Sequence, residues 1–433
     1  MPPERPATDV ALPDVATGPV EAPEGTGTDV VATSPTRGIG GTDVTDVTDV
    51  TDGSSPPTAT TEDERTGSRS RRTWWFPVTA LATYVVCRVA TIVLMAIQDL
   101  HHQRSLVTHL SWWDGEWFLR AVDPGYPSHL PVVHGQVVAN PIAFFPAFPL
   151  VIRAGAALGL DAAVVAVVVS GVTGLTAVWA VGLVGRRLAG DAAGARAALL
   201  FAVFPGSFIF SYAYSEGIVI TAVAFGLLAL LDRRWWLAGL LGAVATAGSP
   251  VALAFVVSCA WSAGAAIRRE RRFGALAAPL LAPVGFVAYM VYLWVHTGQL
   301  SAWRMTERGG WASYPSIAYP FRIVGKFVMN PVSPTLTGQI LVAGTALAVL
   351  GLVLMVRERQ PAPIFLYGLF VVAGAAVSLP VGLRPRFLLL AFPMIVAAGT
   401  RYTGRTHRIL VATSVVLLAL MTLLETANHL VFP

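Results

Sequence analysis

From residue 74 to the C-terminus the sequence is a succession of long, nearly uncharged apolar segments separated by polar turns and by two longer polar loops. A helix needs roughly 20 apolar residues to cross the hydrocarbon core of a bilayer. By that measure the candidates are 74–97, 141–158, 162–185, 194–212, 215–231, 235–248, 250–267, 274–296, 337–356, 362–380, 385–400 and 408–427. Several are short or contain proline, so the expectation is an all-α, polytopic transmembrane protein with ten to twelve spans. Charged residues make up only 13% of the chain and hydrophobic ones 55%, whereas a soluble domain carries roughly 25% charged residues. Too little polar surface is left for a water-soluble fold.

The first seventy-odd residues differ in kind. Residues 1–72 are rich in Pro, Thr, Gly, Asp and Val and include the repeat from Thr42 to Asp52. They lack aromatic residues and helical periodicity, so they cannot bury enough surface to offset the entropy of ordering. A disordered cytoplasmic tail is expected there, followed by one membrane domain over 73–433. No cleavable signal is visible, so the first hydrophobic helix should itself direct insertion. Cys87 and Cys259 both lie in apolar runs without a ligand-spaced partner and read as small buried hydrophobes.

Charge sets the expected orientation. The tail ends in Arg69, Arg71 and Arg72 directly before Trp74-Trp75-Phe76, a basic cluster followed by an aromatic belt, which places the N-terminus in the cytoplasm. Arg268-Arg269-Glu270-Arg271-Arg272 is the strongest cytoplasmic signal. Asp232-Arg233-Arg234, Arg357/Arg359 and the stretch Arg401–Arg408 should share that side. The loops 98–140 and 297–335 and the turns 213–216 and 381–386 then face outward. Arg186-Arg187 fits this count only if 141–158, which carries three prolines between Pro141 and Pro149, is re-entrant or partly inserted. The basic excess is membrane anchoring of this kind and requires no nucleic acid.

Four outward segments carry residues capable of chemistry. The first loop holds Trp112-Trp113-Asp114-Gly115-Glu116-Trp117, then Tyr126 and Asn140. Tryptophans suit a membrane interface and also stack on sugar faces. The same residues read as an interfacial anchor with two solvated acids, or as a carboxylate held where a lipid headgroup lies. Glu216 opens an apolar helix, either as an acid complementing the helix dipole behind an N-capping Ser215 or as a site residue. Arg384 and Arg386 end a helix on the outward side, against the positive-inside bias; they either snorkel to headgroups or clamp a phosphate. The segment from Trp303 to Trp311 again mixes aromatics with charge, including Glu307. There is no Gly-x-x-x-x-Gly-Lys-Ser/Thr loop, Gly-x-Gly-x-x-Gly turn or His-Glu-x-x-His helix. An outward-facing enzyme without a nucleotide fold would take its activated donor from the lipid.

Trp113 to Phe118 with Pro124-Gly125-Tyr126-Pro127 resembles the first-loop signature of the PIG-V-like mannosyltransferases, membrane enzymes of the GT-C fold that use polyprenyl- or dolichyl-phosphate sugars. Asn140 to Pro149 resembles the Phe-Phe-Pro-Leu-Tyr-Pro stretch of that family, Phe204-Pro205 through Tyr214-Ser215-Glu216 its Pro…Tyr-Ser-Glu element, and Pro385-Arg386-Phe387 its Pro-Arg-Phe turn. In the Trp303–Trp311 loop, Gly298-Gln299 stands where Gly-Asp is common and Glu307 where Gln is. The resemblance runs in order over 74–433. It implies that Asp114 is the base that deprotonates an acceptor hydroxyl, and that Glu116 orients the acceptor or assists. It further implies that Arg384 and Arg386 hold the phosphate and that Trp112, Trp113 and Trp117 shape the sugar and headgroup site. Tyr126, Asn140, Glu216, Glu307 and Trp311 complete the expected substrate-binding set. Divalent-metal dependence is left open, and no metal-ligating residue is assigned. The expected partners are a polyprenyl-phosphate sugar, membrane lipid, and a glycan, lipid or protein acceptor. Two competing readings are a translocase of lipid-linked sugars and a membrane scaffold within a complex.

Overall fold

The computed structural model describes residues 76–102, 105–329, 336–379 and 382–428, all within the second of two units, Ser70–Pro433. The expected disordered tail, 1–72, lies outside the described residues. The described chain is a helical membrane protein. In order the helices are α1 (Val78–His102), α2 (Leu106–Leu110), α3 (Asp114–Val122), α4 (Ala147–Ala157), α5 (Ala162–Ala202), α6 (Glu216–Leu231), α7 (Trp235–Gly248), α8 (Leu253–Glu270), α9 (Ala277–Leu281), α10 (Val284–Thr297), α11 (Ala302–Trp311), α12 (Ala318–Met329), α13 (Leu336–Arg357), α14 (Ala362–Val377), α15 (Pro385–Leu390), α16 (Pro393–Arg401) and α17 (Gly404–Asn428). Two small antiparallel ribbons interrupt them. Val132–Val133 (β1) pairs with Gln136–Val137 (β2) around a His134-Gly135 turn, and Tyr314–Pro315 (β3) pairs with Ser378–Leu379 (β4). The second ribbon ties the segment between α11 and α12 to the turn before α15.

By length and apolarity five stretches can cross a bilayer: Val78–Asp99, Ala162–Ala202, Pro250–Glu270, Leu336–Arg357 and Gly404–Glu425. Two bent helix pairs, Pro205–Ser211 with α6 and Phe273–Leu281 with α10, raise that to seven. The sequence expectation of ten to twelve is approached only by adding shorter apolar helices, because prolines and turns cut several runs below a full crossing. Helix α4, with 11 residues, is about 16 Å long, roughly half a hydrocarbon core. That length matches a partly inserted segment rather than a span.

Helix α5 is not one rod. Non-helical Ala189 and Gly190 turn it back on itself, and a Cβ on Gly185 would lie 3.1 Å from Ala197 Cβ and from Gly194 Cα. Small residues at this seam let the two limbs approach at backbone distance, the usual way helices pack where lipid removes the hydrophobic drive. The expected break between 162–185 and 194–212 is therefore real, and it places Arg186-Arg187 at a turn.

Ion pairs gather the basic turns at one end. Arg187 meets Asp232 at 3.4 Å, and Arg233 and Arg272 meet Glu270 at 2.6 and 2.9 Å. Arg401 lies 3.9 Å from Glu358, and Arg196 donates to the Gly399 carbonyl at 2.8 Å. The guanidinium of Arg186 sits over the Phe76 ring, so the start of α1 belongs to this end too. The first limb of α5, about 40 Å long, and helix α6 run from here to the opposite end, where the candidate site lies.

Candidate active site

Asp114 is the first residue of α3. Trp113 before it has φ 60°, an uncommon backbone for a bulky residue, and this sharp corner starts the helix. Gly115 then packs against Ala213, where a Cβ would sit 3.1 Å from Ala213 Cβ, while the Ala213 amide donates to the Leu110 carbonyl at 2.9 Å. The first loop is thereby fastened to the turn that leads into α6. Glu216 opens α6; Ser215 occupies the capping position but its side chain makes no capping bond. The Glu216 carboxylate turns instead to a guanidinium.

That guanidinium belongs to Arg386. Its Nη2 lies 2.6 Å from Asp114 Oδ2, its Nε donates to Glu216 Oε1, and its plane lies over the Tyr214 ring at 4.5 Å. Side-chain exposure is 12% for Arg386, 26% for Asp114 and 5% for Glu216. Arg386 is thus largely shielded and paired, not snorkelling. A Cβ on Gly206 would overlap the Pro385 carbonyl, so a glycine is required for the 205–211 turn to press against the backbone of the arginine turn. Arg384, half-buried, lies near Tyr319 of α12.

Residues two apart on a helix point about 200° apart, and the two first-loop acids separate accordingly. Glu116 faces away from Asp114 into an exposed pair with Arg120 at 2.5 Å. It lines a cavity of about 570 Å³ with Ser105, Thr108, Ser111, Trp112 and Asp161. Trp113 lies against Glu425 of α17, and the Trp112 ring packs at a tilt on His109, whose Nδ1 is 2.9 Å from Asp99.

The remaining candidates build the wall beside Asp114. Trp117 stacks on Phe144 and meets Trp311 edge-on at 5.1 Å. Asn140 is buried; its Oδ1 accepts from the Ile142 amide at 3.0 Å, and its Nδ2 donates to Val138 O at 2.9 Å and Thr306 Oγ1 at 3.1 Å. It locks the first loop to α11. Tyr126 donates to Phe144 O at 2.8 Å and packs on Tyr289, so it holds the wall from behind. Glu307 faces Asp114; burial lifts its carboxyl to about 7, Asp114 adds to that, and Ser313 and Trp303 oppose it.

The structure therefore joins Asp114, Glu216 and Arg386 directly, with Glu307 and Arg384 around them. It sets Glu116 and Trp112 on another face and gives Tyr126 and Asn140 supporting places. Sequence reasoning assigned no role to Tyr214, to the Asp99–His109 pair or to Glu425; only Glu425, inside the apolar run 408–427, carried a signal, since an ionisable group within an apolar span marks a site by default. Among the described residues no three His, Cys, Asp or Glu side chains are grouped to hold a metal ion. The cysteines are free, Cys259 buried and Cys87 half-buried.

No family model and no curated protein matches the sequence. Among solved structures, the crystal structure of ArnT from Cupriavidus metallidurans bound to undecaprenyl phosphate is similar at 15% identity and a TM-score of 0.44. The similarity covers 73% of this chain, and the chain spans 61% of that structure's length.

Proposed function

We propose that this protein is an inverting membrane glycosyltransferase that moves mannose from a polyprenyl-phosphate carrier to an acceptor hydroxyl on the outer face of the membrane. The observation that carries the reading is Arg386 held between Asp114 and Glu216 at the non-basic end of a membrane bundle. By the positive-inside bias, the end that gathers Arg187, Arg233, Arg272 and Arg401 is cytoplasmic, which leaves the site outside.

Asp114 takes the proton of the acceptor hydroxyl as that oxygen attacks the anomeric carbon. The bond from that carbon to the phosphate oxygen breaks, and polyprenyl phosphate leaves with the electron pair. Arg386 engages its Nε and Nη2 with the two carboxylates. A guanidinium has five N–H donors, so its remaining edge is available to a phosphate oxygen. Charge on that oxygen grows in the transition state, where a preorganised donor is most effective. Arg384 supplies a second cation beside it, and both acids sit at positive helix ends, Asp114 of α3 and Glu216 of α6. Mannose, in preference to another hexose, rests on the resemblance of the motifs.

The test is Asp114→Asn in membranes given labelled polyprenyl-phosphate mannose. Transfer is expected to fall by about 10²–10⁴-fold, the contribution typical of a positioned base. Unchanged transfer at normal protein level would remove Asp114 from that role.

A further inference from the structure

Glu307 is the carboxylate at this site that Arg386 does not reach. Among the described residues no Lys, Arg or His lies within ion-pair distance of it, while Arg386 is already committed to Asp114 and Glu216. Its surroundings are fixed. Helix α11 is held by the Asn140–Thr306 bond and by two glycines that admit the first loop at backbone contact: a Cβ on Gly309 would lie 2.5 Å from Val137 O, and one on Gly310 2.6 Å from Ala139 Cα. The groups facing the carboxyl are Asp114 from α3, Tyr289 from α10, and Trp303 and Ser313 from its own segment. Arg304 and Arg308, its neighbours on α11, are exposed.

A half-buried carboxyl beside a second carboxylate, with no cation of its own, is the arrangement that favours the neutral acid. An ionised Glu307 would make three carboxylates around Arg386 and Arg384, into which an anionic donor would then have to fit. We propose that Glu307 keeps its proton in the resting site and in that neutral form donates a hydrogen bond to the phosphosugar, so that it governs the entry of an anionic donor beside Asp114. This rests on the function proposed above for its ligand, though not for the proton itself.

A polyprenyl phosphosugar is a phosphodiester whose single charge is constant near neutrality, so any change in its affinity there belongs to the protein. With the Glu307 carboxyl lifted to about 7, the donor KM should rise above that pH by roughly tenfold per pH unit, kcat at saturation changing little. Glu307→Gln carries a permanent N–H donor in the same shape and should hold the KM flat.

Two measurements on the full chain in lipid nanodiscs test this. The first is pH-difference infrared spectroscopy of wild type and Glu307→Gln. A protonated-carboxyl band lost with a midpoint near 7 and absent from the variant is expected; identical spectra would overturn the proposal. The second is donor KM from about pH 6 to about 9. A flat wild-type profile, or the same alkaline rise in Glu307→Gln, would overturn the donor role. Should the variant not accumulate, the wild-type profile decides alone. A wild-type chain that shows the band but transfers no sugar supports the buried proton and counts against the glycosyltransferase reading instead.

Discussion

Arg386 and Asp114, far apart in sequence, meet at 2.6 Å, and the same guanidinium also binds Glu216. Only a planar fork can span two carboxylates in this way. Arg386→Lys is therefore expected to lose at least about 10²-fold in transfer. Arg386→Ala takes the paired guanidinium from Glu216 and Asp114, leaving only Arg384 nearby, and is expected to cost about 3–5 kcal/mol of stability. Thermal unfolding in detergent and donor turnover separate the two effects; a lysine variant with normal turnover would show that the fork is dispensable.

Gly206 touches no proposed substrate, yet a methyl group there collides with the Pro385 carbonyl and displaces Arg386. A shift of about 1 Å in a positioning group costs on the order of 10²-fold. Gly206→Ala is expected to lower kcat by that order while the protein still accumulates in the membrane. A variant with wild-type kcat would mean that the turn yields without moving the arginine.

Glu116 offers the contrast within one helix. Its pair with Arg120 is exposed on both sides, and such i,i+4 pairs contribute only about 0.3–0.5 kcal/mol. Glu116→Gln should leave stability within about 0.5 kcal/mol and retain most transfer, where Asp114→Asn loses it. Equal losses in the two variants would put Glu116 back into the chemistry.

Asn140→Ala removes the partner of the Ile142 amide and the bond to Thr306. Unsatisfied buried groups cost about 1–3 kcal/mol. Loosening α11 should also raise the donor KM, through Glu307, more than it lowers kcat. Steady-state kinetics beside a melting curve checks both; an intact KM would detach α11 from the donor.

The acid of Glu307 also links stability to pH. Its carboxyl titrates at about 7 in the folded chain against an ordinary 4.5, so between those values the native state binds the extra proton. Stability should fall as pH rises from about 4.5 to about 7 and then level off. Glu307→Gln should remove that slope. A melting temperature that climbs over the same interval in wild type but not in the variant would give the carboxyl the opposite shift.

Much of this was written in the chain. The apolar runs specify helices in lipid, and the basic turns mark one end, since Arg187, Arg233, Arg272 and Arg401 do gather there. The segments with Asp114, Glu216, Glu307 and Arg386 were recognisable as unusual because charge near a bilayer is costly. Three prolines foretold the short α4. What the sequence does not carry is pairing. Asp114 and Glu116 look equivalent two residues apart, and only the corner at Trp113 and the 200° between them send one to Arg386 and the other to Arg120. Arg384 and Arg386 look equivalent too, and only the contact at Gly206 fixes which of them lies between the acids. Solvent preference is a property of each segment and is read locally. An ion pair between distant residues depends on how helices cross and which glycines let backbones touch, and that is decided by packing in three dimensions.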